Sequence, residues 1–138
     1  MRVFLDSNIL IAAFMWPDGL SAKILSKLLS STDHHCVIGQ YILNETRERL
    51  SEKFGVLEPL IAEFESMLLG EPQTILQAIP LFPPPFPVPD PKDKLVITSA
   101  LASEADILVT QDKALLRLSV QVRTLRIIDA EEFWALIR

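Results

Sequence analysis

The 138-residue chain is 49% hydrophobic and 22% charged with a net charge of -5, which fits one globular domain with its own core and excludes a disordered chain or a general polyanion binder, whose footprint is basic. A single cysteine excludes an intrachain disulfide framework and points to a reducing compartment, the cytoplasm. No window reaches the roughly 18 uninterrupted apolar residues of a membrane span, and Asp6 breaks the only early apolar run with no small-residue cleavage pattern behind it, so no secretory leader is expected.

Val3-Phe4-Leu5 is apolar without alternation, the pattern of a strand buried on both faces. Asp6 stands where that strand leaves the sheet. Asp6 or Ser7 suits the cap of the next segment, an apolar helix running to Trp16 and broken by Pro17-Asp18-Gly19. Over residues 20–31, Leu20, Ile24, Leu25, Leu28 and Leu29 recur at helical spacing, with Lys23 and Lys27 on the wet side. Cys36-Val37-Ile38 is a short strand ended by Gly39. The adjacent His34, His35 and Cys36 do not make a zinc site, because neighbouring strand residues point to alternate faces and no second cluster completes a tetrahedron.

Residues 40–54 read as a helix with Ile42, Thr46, Leu50 and Phe54 in one stripe. Glu45 lies at the border of the stripe and Glu48 points away from it. Glu45 also reads as a rim charge paired with Arg49 four residues on. Leu57, Leu60, Ile61, Phe64, Met67 and Leu68 mark a further amphipathic helix ended by Gly70, forming a hairpin with the one before. Thr74–Ile79 reads as a strand. Residues 80–89 then carry so many prolines that neither a sheet nor a helix interior can hold them, so the loop must be extended and polyproline-like. It suits a ligand for a polyproline-binding module less well than a loop pinned to the domain by Phe82 and Phe86.

Asp90-Pro91-Lys92-Asp93 is a helix start, with a cap, a proline in the first helical position and an acid two residues later. The helix runs to about Glu104. Asp93, Ile97 and Ala100 share its apolar side, so Asp93 is more sheltered than an acid that merely answers the helix dipole. Asp106–Thr110 is another buried strand, and Asp112 follows it as Asp6 follows the first. Thr124–Ile128 reads as a last strand and Asp129–Arg138 as a capped helix with Phe133, Trp134 and Ile137 facing inward.

Strands alternating with helices predict an α/β fold, a three-layer α/β/α arrangement with a mainly parallel central sheet. Asp6 and Asp112 then leave the sheet at one edge. Asp93 opens a helix whose N-terminus lies at that edge, and Glu45 sits in the second turn of a helix entered from it. Each acid alone also reads as a cap or a surface charge. Together they form a cluster that cannot stay ionised without cations. Oxygen-only carboxylate ligands suit Mg²⁺ or Mn²⁺, and such an ion supports phosphodiester hydrolysis without a covalent nucleophile.

These residues resemble the PIN domain. The resemblance rests on Asp6-Ser7-Asn8 after a short strand, on Glu45 in a mid-chain helix, on Asp93 opening Asp93-Lys94-Leu95-Val96-Ile97-Thr98-Ser99-Ala100-Leu101, and on Leu108-Val109-Thr110-Gln111-Asp112. Order and spacing match along nearly the whole chain. Within that superfamily the chain is similar to the small toxins of the VapC type, with Trp16-Pro17-Asp18-Gly19 as a further likeness. The resemblance implies a metal-dependent ribonuclease in which Asp6, Glu45, Asp93 and Asp112 hold the metal and are catalytic, with Asn8 and Thr110 as polar supports. It also implies a cognate antitoxin and a homodimer. Lys94 departs from relatives that carry a further acid at that point, which leaves Asp90 to stand in.

The expectation is therefore one PIN-like domain over residues 1–138, containing the proline-rich loop 80–91. Its function would be Mg²⁺- or Mn²⁺-dependent cleavage of RNA, with Lys92, Lys94, Lys113 and Arg117 along the backbone of the substrate. The alternative is an inactive PIN-like module that binds RNA or protein. An aspartyl-phosphate mechanism lacks the second aspartate it usually needs, since Asn8 stands there. A nucleotide-binding oxidoreductase lacks both G-x-G-x-x-G and a P-loop.

Overall fold

The computed structural model of the protein describes residues 1–138. Five strands, β1 (Arg2–Leu5), β2 (His35–Gly39), β3 (Thr74–Gln77), β4 (Ile107–Val109) and β5 (Arg126–Ile128), make one sheet in the order β3-β2-β1-β4-β5. Every pairing is parallel. Seven helices connect and cover the strands: α1 (Ser7–Met15), α2 (Leu20–Ser30), α3 (Gln40–Glu52), α4 (Glu58–Leu69), α5 (Pro91–Ala102), α6 (Lys113–Arg117) and α7 (Ala130–Ile137). A single 3₁₀ turn, Leu118–Val120, follows α6. No single helix is long and apolar enough to cross a membrane.

β1 is the central strand. Phe4 pairs with Val37 on one side and Leu108 on the other. Successive strand residues face opposite ways, and Val3, Phe4 and Leu5 are all 0% exposed, so helices cover both faces in the three-layer α/β/α manner. Apolar residues without alternation are what such a strand requires. The chain order reverses direction across β1 and β4, and the crevice beyond the carboxyl ends of those two strands is where an open α/β sheet receives ligands.

Several expected boundaries move. The helix expected to include Phe54 stops at Glu52; Gly55 takes a φ of 65° and the N–H of Val56 returns to the carbonyl of Leu50 at 2.9 Å. A residue without Cβ closes that turn at no steric cost. On α4 only Ile61, Phe64 and Leu68 are buried, while Leu57, Leu60 and Met67 are exposed, because that helix lies at the margin of the core. Its hairpin with α3 is held by Arg47, which makes ion pairs with Glu58 and Glu65. β3 ends at Gln77, two residues before Ile79. In the loop beyond it Phe86 packs on the core and Val88 is buried, but Phe82 stays out in solvent, so one phenylalanine anchors the loop and the other does not. Phe133 is fully buried, whereas Trp134 and Ile137 are half-buried beside it, with Lys27 Nζ 5.9 Å from the Trp134 ring centre.

Candidate metal centre

Asp6 lies one residue beyond β1, and its N–H still bonds the carbonyl of Val109 at 3.0 Å, so the sheet itself fixes the position. The side chain is buried. Oδ1 accepts the N–H of Ser7 at 2.7 Å, which makes Asp6 the N-cap of α1. Oδ2 accepts the Thr110 hydroxyl at 2.7 Å and the Asn8 amide at 3.3 Å. Ser7 does not take over the cap, as the helix-start pattern would allow. Its hydroxyl donates instead to Glu45 Oε1, because at the first helical position it faces α3 and not the turn before it.

Thr110 is the hub of the supporting network. It is 0% exposed, with its one hydroxyl proton given to Asp6. Its two lone pairs receive the N–H of Asp112 at 3.0 Å and the Asn8 amide at 3.3 Å, which exhausts what a hydroxyl can do. Asn8 Oδ1 in turn accepts the N–H of Gln111 at 3.2 Å. The strand-end segments after β1 and β4 are thus stitched together by side chains. Asp112 is held from its other side, since Oδ1 accepts the N–H of Ala114 at 2.8 Å and caps α6.

Glu45 is 15% exposed at its side chain. Besides the Ser7 hydroxyl it meets the Tyr41 hydroxyl at 3.3 Å and Arg49 at 3.8 Å, one turn away on either side along α3. Asp93 is buried in the first turn of α5, whose cap is Asp90, with Oδ1 accepting the N–H of Lys92 at 2.8 Å.

Asp6, Glu45, Asp93 and Asp112 all line one cleft of about 90 Å³, with Asp90 and Lys92 at its mouth and Ser7, Asn8 and Arg49 around it. Burial pushes the Asp93 carboxyl up to about 6, and the charges of Asp112, Asp90, Asp6 and Glu45 push in the same direction. Asp6 is also raised, first by burial; hydrogen bonds from Thr110 and Ser7 pull it back, and Glu45 and Asp112 raise it further. Tyr41 is pushed up to about 12 by burial and then by the neighbouring charge of Glu45. Burial leads each shift, and the repulsion added to it marks carboxylates that share one space.

In this conformation no three carboxylate, imidazole or thiol groups close on a common point as a finished metal cage. The bonds to Ser7, Thr110 and Ala114 use part of the acids' lone-pair capacity. Each carboxylate has about four acceptor sites, so oxygens remain for an ion. An all-oxygen donor set of four or five carboxylates, offset in the cleft only by Arg49 and Lys92, fits a hard divalent cation.

The four cations expected along the substrate divide. Lys92 lines the acidic cleft. Lys94 lies against Pro83, Pro84 and Phe86 in a neighbouring groove. Lys113 and Arg117 are exposed on α6, outside the cleft. Arg49 pairs with Glu45 as its spacing predicts, whereas Ser7, one of two candidate caps, bonds Glu45 instead, and Tyr41, also bonded to Glu45, gives no signal in the sequence beyond its spacing four residues before it. His34, His35 and Cys36 form no centre, and burial holds the Cys36 thiol up near about 12.

Comparison with known proteins agrees with this architecture. A chain of VapBC2 from Rickettsia felis, solved bound to a DNA fragment from the promoter, superposes with a TM-score of 0.61 at 15% identity, covering 94% of this chain and 98% of that one. A PilT N-terminus domain protein from the archaeon Sulfolobus solfataricus superposes with a TM-score of 0.56 at 18% identity, covering 99% and 92%. A protein from Pyrobaculum aerophilum gives 0.60 at 15%, covering 99% and 89%. No curated protein sequence matches significantly. At these identities the likeness speaks for the fold. The sequence profile of the PIN domain, however, matches residues 2–114, from the first strand to the second residue past Asp112, and the chain belongs to the PIN domain family.

Proposed function

We propose that the protein is a metal-dependent endoribonuclease and the toxin of a toxin–antitoxin pair. The observation that carries this reading is the convergence of four acids from four separate elements on one small cleft, with Asp93 and Asp6 held above the usual carboxylate range. Family membership and the likeness to a VapBC2 chain support it.

In this reading Asp6, Glu45, Asp93 and Asp112 hold Mg²⁺ or Mn²⁺, with Asp90 as an outer carboxylate. The bound ion would supply charge neutralisation at the scissile phosphate and a more acidic water. The chain does the rest. Thr110 and Asn8 fix the Asp6 carboxylate against rotation and tie it to the Asp112 segment. Ser7 sets the orientation of Glu45. Lys92 and Lys94, close to the cleft, and Lys113 and Arg117, further out, hold the RNA backbone by charge. The partners are an RNA, a cognate antitoxin and a second copy of the chain, and the compartment is the cytoplasm.

The test is cleavage of an RNA panel with Mg²⁺ or Mn²⁺, with EDTA, and with the Asp6→Asn variant. Metal-dependent cleavage by the native chain alone is the expected result. Cleavage that persists in both EDTA and the variant would sink the mechanism.

A further inference from the structure

α3 carries two arginines two residues apart, and their surroundings differ. Arg47 is fully engaged. Its Nε and Nη2 donate to Glu65 at 2.9 and 2.8 Å, and its Nη1 donates to Glu58. Residues two apart on a helix point roughly 200° away from each other around the axis. Arg49 therefore leaves the α3–α4 hairpin and lines the acidic cleft. Its ionic neighbour is Glu45, one turn back, at 3.8 Å. That is too long for a hydrogen bond. The guanidinium, 43% exposed at its side chain, keeps its five N–H donors free of the protein.

Neither stability nor metal binding accounts for a cation there. An exposed pair four residues apart on a helix contributes little. A positive charge beside Glu45 also repels any divalent ion that Glu45 helps to hold. What the arginine favours is an anion that arrives with the ion. The cleft, about 90 Å³, has the volume of roughly three waters. It admits a phosphate group and is too small for a nucleobase. Guanidinium is the side chain whose planar fork meets two phosphate oxygens at once.

We propose that Arg49 is the phosphate-binding residue of the cleft, its guanidinium bonding two oxygens of one backbone phosphate of the RNA. The inference rests on the nuclease reading above for the identity of the anion. Five carboxylates line the cleft against two cations, Arg49 and Lys92. Lys92 stands at the mouth, so Arg49 is the cation beside the acids themselves. A contact to phosphate carries no sequence information. Arg49 thus sets affinity alike for every sequence, and the choice of cleavage site falls to groups outside the cleft.

Fluorescence anisotropy of labelled single-stranded oligo(A) and oligo(U) RNA, with Ca²⁺ as the divalent ion, tests the contact apart from cleavage. Arg49→Gln should weaken binding of both by roughly tenfold or more, the scale of a lost hydrogen bond to a charged group. Arg49→Lys keeps the charge without the fork and should recover only part of the loss. Lys23→Gln removes the same charge from the exposed side of α2, outside the cleft, and should change affinity by less than about twofold. Titration of Mn²⁺ alone into Arg49→Gln should show an affinity severalfold above the native chain's, since a repelling charge has gone. Arg49 is exposed, so the variants should fold, and circular dichroism melts check this. An Arg49→Gln chain that binds RNA as the native chain does overturns the inference. So does a loss confined to one of the two sequences, which marks a base contact, or a fall in Mn²⁺ affinity, which marks Arg49 as a support for Glu45. Cleavage separates this outcome from the nuclease reading. A native chain that binds RNA through Arg49 and cuts none of it with Mg²⁺ or Mn²⁺ sinks that reading and upholds the contact. A native chain that binds no RNA overturns both.

Discussion

Asp6 accepts three hydrogen bonds, each of which favours its ionised form, and its pKa is still raised. Burial among like charges outweighs them. Thr110 is the strongest of the opposing contacts, so Thr110→Val should destabilise the fold by about 1–3 kcal/mol and loosen Asp6 as a ligand. Denaturant melts and a Mn²⁺ titration of the variant measure the two effects separately. Asp93 gives a pH dependence of definite sign. Its carboxyl, ordinarily at 3.8, stands at about 6 in the folded chain. Between those values the folded state holds more protons than the unfolded one, so this residue's contribution to stability falls as pH rises through the window. Thermal melts in EDTA should therefore find Asp93→Asn more stable relative to the native chain at neutral pH than near pH 4. A larger gain at the acidic end would contradict the assigned environment. Asp93 was legible in the sequence because helical spacing put it with Ile97 and Ala100. The Ser7–Glu45 bond was not, because a serine after an aspartate at a helix start fits a cap equally well, and only the approach of α3 decides between them.

The elements explain themselves more fully than their junctions do. β1, α2 and α5 follow from apolar patterning and from the Asp90-Pro91 start, and their observed bounds lie close to the expected ones. Where chains turn, packing decides. Gly39 joins β2 to α3, and a Cβ there would stand 2.9 Å from Phe4 Cζ, a ring fully buried in the central strand. Gly39→Ala should cost about 1–3 kcal/mol through overpacking and tilt the helix that carries Glu45, so that metal affinity falls along with the melting temperature. The sequence marks Gly39 only as a strand end; its contact with Phe4 is a tertiary fact. Glu104 poses the reverse case. It ends α5 with a φ of 55°, a left-handed conformation that glycine adopts freely and glutamate does not. Glu104→Gly should raise stability by roughly 0.5–1 kcal/mol, read from the denaturant midpoint. The length of α4's buried face could not be read from its leucines, since an edge helix uses fewer of them than its sequence offers.

At the scale of the molecule, a chain of net charge -5 concentrates acids in a cleft and leaves most lysines and arginines elsewhere. A ligand that neutralises the cleft and binds only the folded state must stabilise the fold by mass action, about 2.7 kcal/mol at a hundred times its Kd. Mn²⁺ should accordingly raise the melting temperature of the native chain and not that of Asp6→Asn. A flat response in both would favour the reading of an inactive binding module. The parallel sheet and the meeting of the acids at one edge, though not the order of the strands, follow from strand–helix alternation, which is why the sequence could place four carboxylates together. What it could not supply is their separation or their hydrogen-bond partners, both of which depend on contacts between distant segments.

The position of β1 gives the molecule a timetable. The central strand is made first, yet one of its two neighbours, β4, comes from the last third of the chain. The Thr110–Asp6 bond joins residues 104 positions apart. A growing chain therefore cannot assemble the acidic cleft until Asp112 has been added, and a chain stopped earlier has Asp6 beside a bare strand edge.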